Sequence, residues 1–419
     1  MSNDPTLLKR ITPAEALARA TRPLPPIPQE VPAILEAIRK GGSEAVFRYA
    51  RELEGFTAER FEVPRSRMEA AVADLEPALR GHLEEAIRRV KIFSELQKRG
   101  YQDFEVELDG VRLGQRIVPM ARAACYAPGG RYPLPSSVIM GVVPARVAGV
   151  EEVIVLSPRL HPITLAAAAL AGADRVFDLG GVQGIAAAAW GLAGLPRVDI
   201  VVGPGNRYVT GAKRLLYGDV GIEFPAGPSE LLVIADRGAR VDWIAADLLA
   251  QAEHDPEALP MLLSFDAALL GNVEAELRRQ LAELPADSPA QESLANGFAV
   301  VVDEDEALAL AEGLAPEHLE LQGPRAEALA ERLRVYGSLF IGENTAEVFG
   351  DYGSGTNHIL PTGGAARFTG GVFVGTFLKT LTWQRILPQG QRQQALQAAA
   401  LADAEGLVAH AAAARARLQ

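Results

Sequence analysis

The chain has 419 residues, of which 48% are hydrophobic and 22% charged, and its formal net charge is −12. This length predicts two or three domains, and the acidic balance disfavours nucleic acid or an anionic membrane as a partner. The single cysteine, Cys125, excludes an intrachain disulfide, and no apolar run approaches the ~18 residues that span a bilayer. The N-terminal residues lack the apolar segment of a secretory signal. We therefore expect a cytoplasmic protein that binds neither nucleic acid nor a membrane.

The first quarter of the chain carries mainly helical patterns. Residues 1–26 predict a short extension, because prolines interrupt their helix signals. Two helical patterns follow, and the apolar spacing of residues 65–98 predicts one long amphipathic helix. Alternating apolar residues on either side of Asp109 and Gly110 predict a β-hairpin over 103–118.

Beyond Cys125, short apolar runs alternate with helical patterns. Predicted strands lie at 153–156, 176–179, 199–202, 231–235, 261–265, 298–302 and 338–341. Predicted helices lie at 163–171, 182–192, 242–253, 273–282, 306–312 and 325–335. This alternation predicts parallel sheets with right-handed crossovers. A glycine-rich stretch, 353–375, reads as an ordered functional loop, and residues 380–419 return to helix.

Several polar residues at the ends of these elements could hold a metal. Gln251 and His254 share one face at the end of a predicted helix, so an amide oxygen and an imidazole could bind a divalent cation there. The alternative for His254 is an interaction with the helix dipole. Asp351, with glycines on both sides, could be an oxygen ligand or a turn-forming residue. His358 could be a ligand or a hydrogen-bonding loop residue.

Two other sites could carry acid–base or covalent chemistry. Glu317 and His318 are adjacent at an element boundary and could transfer protons, although a surface acid beside a half-buried histidine is the alternative. Cys125 could trap an aldehyde as a thiolate, or it could be a small core residue.

Two glycine turns each follow a predicted strand and open a helix. They are Gly203-Pro204-Gly205-Asn206 and Gly180-Gly181-Val182-Gln183-Gly184. Their backbone amides could meet a phosphate group at the helix N-terminus. Neither turn is the usual dinucleotide fingerprint, and no acid about 20 residues further on stands out as a ribose ligand. A nucleotide could therefore bind here, but not through the standard fingerprint.

Seven segments, taken together and in order, resemble the histidinol dehydrogenase family. They are CYAPGGRYPLPSS at 125–137, GPGNRYVTGAK at 203–213, AGPSELLVIAD at 226–236, QAEHDP at 251–256, APEHLEL at 315–321, GDYGSGTNHILPTGG at 350–364 and EGLVAH at 405–410. The resemblance implies an α/β fold with two incomplete Rossmann-like domains, each a mostly parallel sheet with flanking helices, plus small N- and C-terminal helical extensions.

The implied domain boundaries follow the motifs. Residues 1–26 would form the N-terminal extension. Residues 27–125 and 231–375 would form the first domain, with the metal and catalytic residues, and residues 126–230 the second domain, on the NAD side. Residues 376–419 would be a C-terminal helical extension that contributes to the partner's site in a homodimer with shared active sites.

The resemblance also implies an activity and residue roles. The family oxidises L-histidinol through L-histidinaldehyde to L-histidine, reducing two NAD per turnover with one zinc ion per subunit. His318 would remove the alcohol proton, and Glu317 would activate water for the second oxidation. The implied zinc ligands are Gln251, His254, Asp351 and His410, the last from the partner subunit. The implied NAD contacts are Tyr126, Gln183 and Asn206. The implied substrate contacts are Ser229, Glu405, His318 and the four zinc ligands.

Two other functions remain open at this point. A zinc-dependent hydrolase of a small amide substrate could use the same metal site, with Glu317 activating water, and it would need no NAD. A non-catalytic α/β binding module would leave Glu317, His318 and the metal-type residues without a purpose.

Overall fold

The computed structural model describes residues 6–19, 25–129, 132–225 and 227–418. The strands in chain order are β1 (Lys9–Arg10), β2 (Phe104–Leu108), β3 (Val111–Pro119), β4 (Arg122–Tyr126), β5 (Glu152–Leu156), β6 (Arg175–Phe177), β7 (Ile200–Val202), β8 (Gly221–Ile222), β9 (Glu230–Ala235), β10 (Leu259–Ser264), β11 (Phe298–Val301), β12 (His318–Gln322), β13 (Ser338–Ile341) and β14 (Leu378–Ile386). Gly130, Arg131 and Ala226, from the motifs above, lie outside the described residues.

The helices vary from one turn to seven. They are α1 (Pro13–Ala18), α2 (Glu30–Glu54), α3 (Arg65–Ala73), α4 (Pro77–Lys98), α5 (Pro135–Ala148), α6 (Pro162–Ala171), α7 (Gly181–Trp190), α8 (Arg207–Leu216), α9 (Val241–Ala252), α10 (Ala267–Leu281), α11 (Ala290–Leu294), α12 (Glu304–Leu314), α13 (Pro324–Glu327), α14 (Glu347–Tyr352), α15 (Pro388–Ala404) and α16 (Val408–Arg415). Short 3-10 turns lie at Ala365–Arg367, Val374–Phe377 and Ala416–Leu418. Within the described ranges, no helix is both long enough and apolar enough to cross a membrane.

The middle of the chain forms a five-stranded parallel sheet in the order β6-β5-β4-β7-β8. The chain runs outward from β4 to β6 and then returns to the other side of β4 with β7. Helices α5 and α6 cover one face and α7 and α8 the other. The strand order therefore reverses between β4 and β7, and such a reversal opens a crevice at the carboxyl ends of the strands.

The second sheet has six parallel strands in the order β1-β11-β10-β9-β12-β13. Helices α9, α10 and α11 pack on one face, and α1, α12 and α13 on the other. Strand β13 has the predicted bounds, whereas β12 was visible in the sequence only as an apolar alternation. Parallel sheets with flanking helices on both faces confirm the predicted α/β fold class.

The packing of the three helices α2, α3 and α4 differs from the expected domain division. Val31 of α2 packs on one face of the five-stranded sheet, and Met68 of α3 and Val90 of α4 pack on the other. Their apolar faces thus complete the core of the sheet that contains β4, and on the side of α3 and α4 this core also includes Ile359, Val372 and Val374 of the segment 231–375. The predicted helix over 65–98 is divided into α3 and α4, because Pro77 starts a new helix.

Residues 6–19, which belong to the predicted N-terminal extension, pack against the six-stranded sheet. Strand β1 pairs with β11 at the edge of the six-stranded sheet, and Ala16 of α1 is buried against that sheet. The start of the described chain is therefore part of one of the two cores.

A three-stranded antiparallel sheet, in the order β14-β3-β2, completes the fold. The predicted hairpin is confirmed, with Asp109 at φ 49° and Gly110 at φ 77° in its turn. The prediction of helix for 380–386 is wrong, because these residues form β14 and pair with β3. Helices α15 and α16 follow as predicted and pack against each other.

Candidate active site

The acidic and imidazole groups of the site gather at the amino edge of the six-stranded sheet. His318 is the first residue of β12 and pairs in register with Leu231 of β9 and Ser338 of β13. Glu317 precedes it directly, after α12 has ended on Ala315 in the left-handed region at φ 51°. Carboxyl edges are the usual location of such sites in parallel sheets. In this protein the site lies at the amino edge instead, because the C-terminal end of α9 lies at that edge.

The backbone of Glu230 fixes the tautomer of His318. Nδ1 of His318 lies 3.0 Å from the carbonyl oxygen of Glu230. Because a carbonyl oxygen can only accept a hydrogen bond, Nδ1 carries the hydrogen and Nε2 keeps its lone pair. Burial lowers the pKa of His318 to about 4, against the opposing effect of Asp351. The ring is therefore neutral at pH 7.

The same residue holds the neighbouring acid. The backbone N–H of Glu230 donates to Oε2 of Glu317 at 2.9 Å, and this oxygen lies 3.8 Å from Nδ1 of His318. Burial raises the pKa of Glu317 well above its ordinary range, and the charges of Glu230, Asp351 and Glu347 act in the same direction. Glu317 thus holds a proton more readily than an exposed carboxyl group does.

A metal-type group lies beside this pair. One ligand atom each from His254, Glu347 and Asp351 lies within 4.8 Å of the others, among the residues that the structure describes. Nε2 of His254 is 3.9 Å from Oδ2 of Asp351, and Nδ1 of His358 is 3.4 Å from the other carboxylate oxygen. The structure therefore brings His254 and Asp351 together, as the sequence predicts, and adds Glu347, which the sequence analysis missed.

Gln251 supports a cation at this position. It is fully buried on α9, one turn before His254, and neither atom of its amide has a hydrogen-bond partner in the described part of the chain. Both carboxylate oxygens of Glu347 likewise have no hydrogen-bond partner among the described residues. Buried polar groups without partners are costly, so an oxygen- and nitrogen-binding cation fits this donor set. The spacing of Glu347 and Asp351, four residues apart on one helix, was the signal available in the sequence.

Three of the predicted substrate contacts, Ser229, Glu405 and His410, are not part of the group formed by His254, Glu347 and Asp351. Ser229 is half-buried directly before β9, and its carbonyl oxygen accepts a hydrogen bond from the backbone N–H of Leu259. Glu405 and His410 are exposed at the end of α15 and within α16. Within the described part of the chain, no hydrogen bond or ion pair joins either of them to His254 or Asp351.

The predicted cofactor residues lie at the carboxyl edge of the five-stranded sheet. Tyr126 ends β4, its side chain is buried near Gly181, and burial raises the pKa of its hydroxyl. Gln183, in the first turn of α7, is fully buried and its amide has no partner within the described residues. Asn206 is exposed and caps α8 by accepting from the N–H groups of Tyr208 and Val209 at 3.0 and 3.1 Å.

A buried ion pair holds the turn that carries Asn206. Nζ of Lys213 lies 2.5 Å from Oε1 of Glu223 and also donates to the carbonyl oxygen of Gly203 at 3.0 Å. The N–H of Gly203 donates to the same Glu223 oxygen at 3.0 Å. Gly203 has φ 121°, and a Cβ there would lie 2.0 Å from the carbonyl oxygen of Tyr126. Only glycine therefore lets the ends of β4 and β7 approach so closely.

Cys125 and the pair formed by Asp247 and Glu320 are also buried. Cys125 is enclosed in β4, and burial raises the pKa of its thiol, so the structure favours a core residue over a nucleophile. The carboxyl groups of Asp247 and Glu320 are both buried and close enough for each to affect the pKa of the other. Gln322 donates to Glu320, and burial raises the pKa of Glu320 well above its ordinary range.

Comparison with known proteins identifies the family. The family model for histidinol dehydrogenase matches residues 18–418. Histidinol dehydrogenase from Thermus thermophilus is 48% identical over 389 residues, covering 92% of this chain and 93% of that protein. The same enzyme from Aquifex aeolicus is 43% identical over 393 residues, covering 93% and 92%. The crystal structure of histidinol dehydrogenase from Elizabethkingia anophelis aligns with a TM-score of 0.92 at 31% identity and covers 99% of both chains. The resemblance found in the sequence is thus confirmed: the chain belongs to the histidinol dehydrogenase family and is an oxidoreductase of histidine biosynthesis.

Proposed function

We propose that the protein oxidises L-histidinol through L-histidinaldehyde to L-histidine, with two NAD as hydride acceptors and one zinc ion per subunit. The observation that carries this proposal is the neutral His318. Its Nδ1 is occupied by the Glu230 carbonyl group, and its Nε2 is left as a base on the side of the metal-type group. A hydroxyl substrate held at that group would present its proton to this nitrogen.

In the first oxidation, His318 would accept the hydroxyl proton at Nε2. The bond from Nδ1–H to the Glu230 carbonyl oxygen would keep the ring oriented and would stabilise the imidazolium that forms. The pKa of about 4 keeps the nitrogen unprotonated before substrate binds. NAD, when bound, supplies the acceptor for the hydride that leaves the same carbon.

In the second oxidation, Glu317 would take a proton from water as the water adds to the aldehyde. Its carboxyl group is held by the backbone N–H of Glu230, so its position does not depend on the substrate. The raised pKa makes it a stronger base than an exposed carboxylate once its proton has been lost. Ser229, one residue before Glu230, is placed to contact the substrate in this proposal.

The donor set fits a zinc ion. Gln251, His254 and Asp351 would hold it, and the unpartnered amide of Gln251 supports that role. Zinc, when bound, supplies a positive charge that fixes the nitrogen groups of the substrate. Tyr126, Gln183 and Asn206 would contact NAD at the crevice between β4 and β7.

The fourth zinc ligand would be the partner's His410, in a homodimer. His410 and Glu405 are exposed here, together with large apolar residues of the same C-terminal segment, which favours their use in a second copy. Those apolar residues are Leu396, Leu401, Leu407 and Val408. The single cysteine suits a reducing compartment, and we propose the cytoplasm as the place of reaction.

The test is the appearance of NADH when the purified protein is mixed with L-histidinol and NAD. Two NADH per histidinol are expected, with loss of the signal after a zinc chelator and its return on adding zinc. A zinc-replete protein that yields no NADH would refute the proposal. Hydrolysis of a small amide without NAD would favour the hydrolase alternative, which the family assignment leaves without support.

A further inference from the structure

The carboxylate of Glu54 lies against the turn that begins α7, although the two are far apart in the sequence. Glu54 is the last residue of α2, which ends there because Gly55 takes the left-handed conformation at φ 70°. Oε2 of Glu54 accepts a hydrogen bond from the backbone N–H of Gly180 at 3.3 Å, across a sequence separation of 126 residues. The Glu54 side chain is therefore held at the carboxyl end of β6 by a long-range contact. Local sequence patterns do not predict this contact.

The residues around this turn point to a ligand. The amide of Gln183 is fully buried and unpartnered within the described chain, and its atoms lie 2.8 Å from where a Cβ on Gly181 would be. The buried hydroxyl of Tyr126 lies near the same glycine, and burial raises its pKa. Glu54, Tyr126 and Gln183 thus lie around one glycine turn at the start of a ten-residue helix, and the Gln183 amide has no hydrogen-bond partner among the described residues.

Charged groups of both signs lie near the turn, and they differ in how deeply they are buried. Burial raises the pKa of Glu54 to about 7, Asp178 acts in the same direction, and Arg159 opposes them. Arg159 is exposed, in the left-handed region at φ 53°. Glu54 is the less exposed of the two and is tied to the backbone, so its carboxylate, rather than the guanidinium, is the fixed group at the turn.

In dinucleotide sites of α/β sheets, an acidic residue beside the glycine turn hydrogen-bonds the ribose hydroxyls. A carboxylate accepts hydrogen bonds from ribose hydroxyls and repels a 2′-phosphate. The acids about 20 residues beyond the two glycine turns are held by other groups: Asp199 accepts from the N–H groups of Ala121 and Arg122, and Glu223 is paired with Lys213. We propose that Glu54 supplies the acid instead: its carboxylate receives the hydroxyls of the adenosine ribose and makes the enzyme select NAD over NADP. This inference rests on the proposed use of NAD by the same site.

The experiment compares Glu54→Gln with Glu52→Gln, a matched change at an exposed residue of the same helix. The affinities for NADH and NADPH are measured by fluorescence titration, and kcat/KM is measured for NAD and NADP with L-histidinol. Glu54→Gln should lower the NADH to NADPH affinity ratio about tenfold or more, the loss expected for a hydrogen bond to a charged group together with removal of its repulsion. Glu52→Gln should leave the ratio within about twofold of that of the parent protein.

Two outcomes would overturn the proposal. One is an unchanged ratio in Glu54→Gln with an unaltered circular dichroism spectrum. The other is a parent protein that binds NADPH as tightly as NADH, with Arg159→Gln weakening only NADPH, which would assign the ribose position to Arg159. If Glu54→Gln does not fold, Glu54→Asp, which keeps the charge, must retain the parent ratio. Because the titrations need no turnover, they test Glu54 even if histidinol is not oxidised.

Discussion

Oε1 of Glu347 lies 3.4 Å from Nε2 of His318, and both side chains are buried. Within the described residues, neither oxygen of this carboxyl group has a hydrogen-bond partner. Burial, Asp351 and Asp247 all raise the pKa of Glu347 above its ordinary range. A carboxyl group in such surroundings is best stabilised by a cation, and the neighbouring His254 and Asp351 offer the ligands for one.

Replacing Glu347 by glutamine should therefore weaken zinc binding. The amide keeps the size of the side chain but removes one negative charge from the group that attracts the cation. We expect about a 10- to 100-fold loss of zinc affinity, the range seen when residues that support a metal site are changed. Competition with a chromogenic chelator measures it, and Glu331→Gln, at an exposed position, is the control. Equal zinc affinity in the two variants would separate Glu347 from the metal.

Glu317→Gln should slow the second oxidation step much more than the first. Glutamine can still accept the N–H of Glu230, but it cannot take a proton from water. Oxidation of supplied L-histidinaldehyde should slow by at least about a hundredfold, whereas the first hydride transfer from L-histidinol, followed in a single turnover, should change far less. Equal slowing of both steps would contradict the division of labour between Glu317 and His318.

Mixed dimers can test the origin of the fourth zinc ligand. His254→Asn and His410→Asn should each be inactive alone. After subunit exchange, one of the two shared sites in the mixed dimer has an intact His254 and the partner's His410, so activity should return to at most half of the parent value. Exchange is verified by differently tagged subunits. No recovery in a verified mixed dimer would place His410 in its own chain's site.

The buried pair of Lys213 and Glu223 should contribute to stability as a unit. Both side chains are almost completely buried. Lys213→Met leaves the Glu223 charge uncompensated and should lower the free energy of unfolding by about 3–5 kcal/mol. Lys213→Met combined with Glu223→Gln should recover most of this loss, because no unpaired charge remains. Urea unfolding measures both, and a double variant as unstable as the single variant would show that packing, not charge, is responsible.

Stability of the metal-free protein should fall with rising pH. Burial raises the pKa of Glu320 above its ordinary value of 4.5, so the folded state binds this proton more tightly than the unfolded state. The stabilisation is complete below about pH 4.5 and is lost as the pH rises through the folded-state pKa. Glu320→Gln, which removes the titrating group, should show a shallower decline of the unfolding free energy as the pH rises above about 4.5. A parallel decline in the two proteins would contradict this assignment.

Sequence patterns anticipated much of the fold. The apolar runs beyond Cys125 predicted the alternating strands and helices because parallel strands buried on both faces are continuously hydrophobic. The wrong assignment of 380–386 has a physical cause: Thr380, Thr382 and Trp383 favour a strand, but only pairing with β3 makes that strand stable. The placement of α2, α3 and α4 depends on which sheet their apolar faces meet, and helix periodicity contains no such information.

The site was predictable where neighbours in sequence are neighbours in space. The pair formed by Glu317 and His318 was visible as adjacent residues, and Gln251 and His254 as one helix face. Glu347 and Glu54 were missed because their significance comes from contacts with His318 and Gly180. Such contacts between distant segments depend on how α14 and α2 pack, which single-sequence patterns do not determine.

The enclosed thiol of Cys125 gives this protein an internal reporter of its own unfolding. It is the single cysteine of the chain, and a Cβ on Gly141 of α5 would lie 3.0 Å from its sulfur, so no reagent can approach while α5 is packed on β4. Burial also keeps the thiol protonated, and the thiolate is the reactive form. The rate of labelling by a thiol reagent therefore measures how often the five-stranded core opens, without any engineered probe.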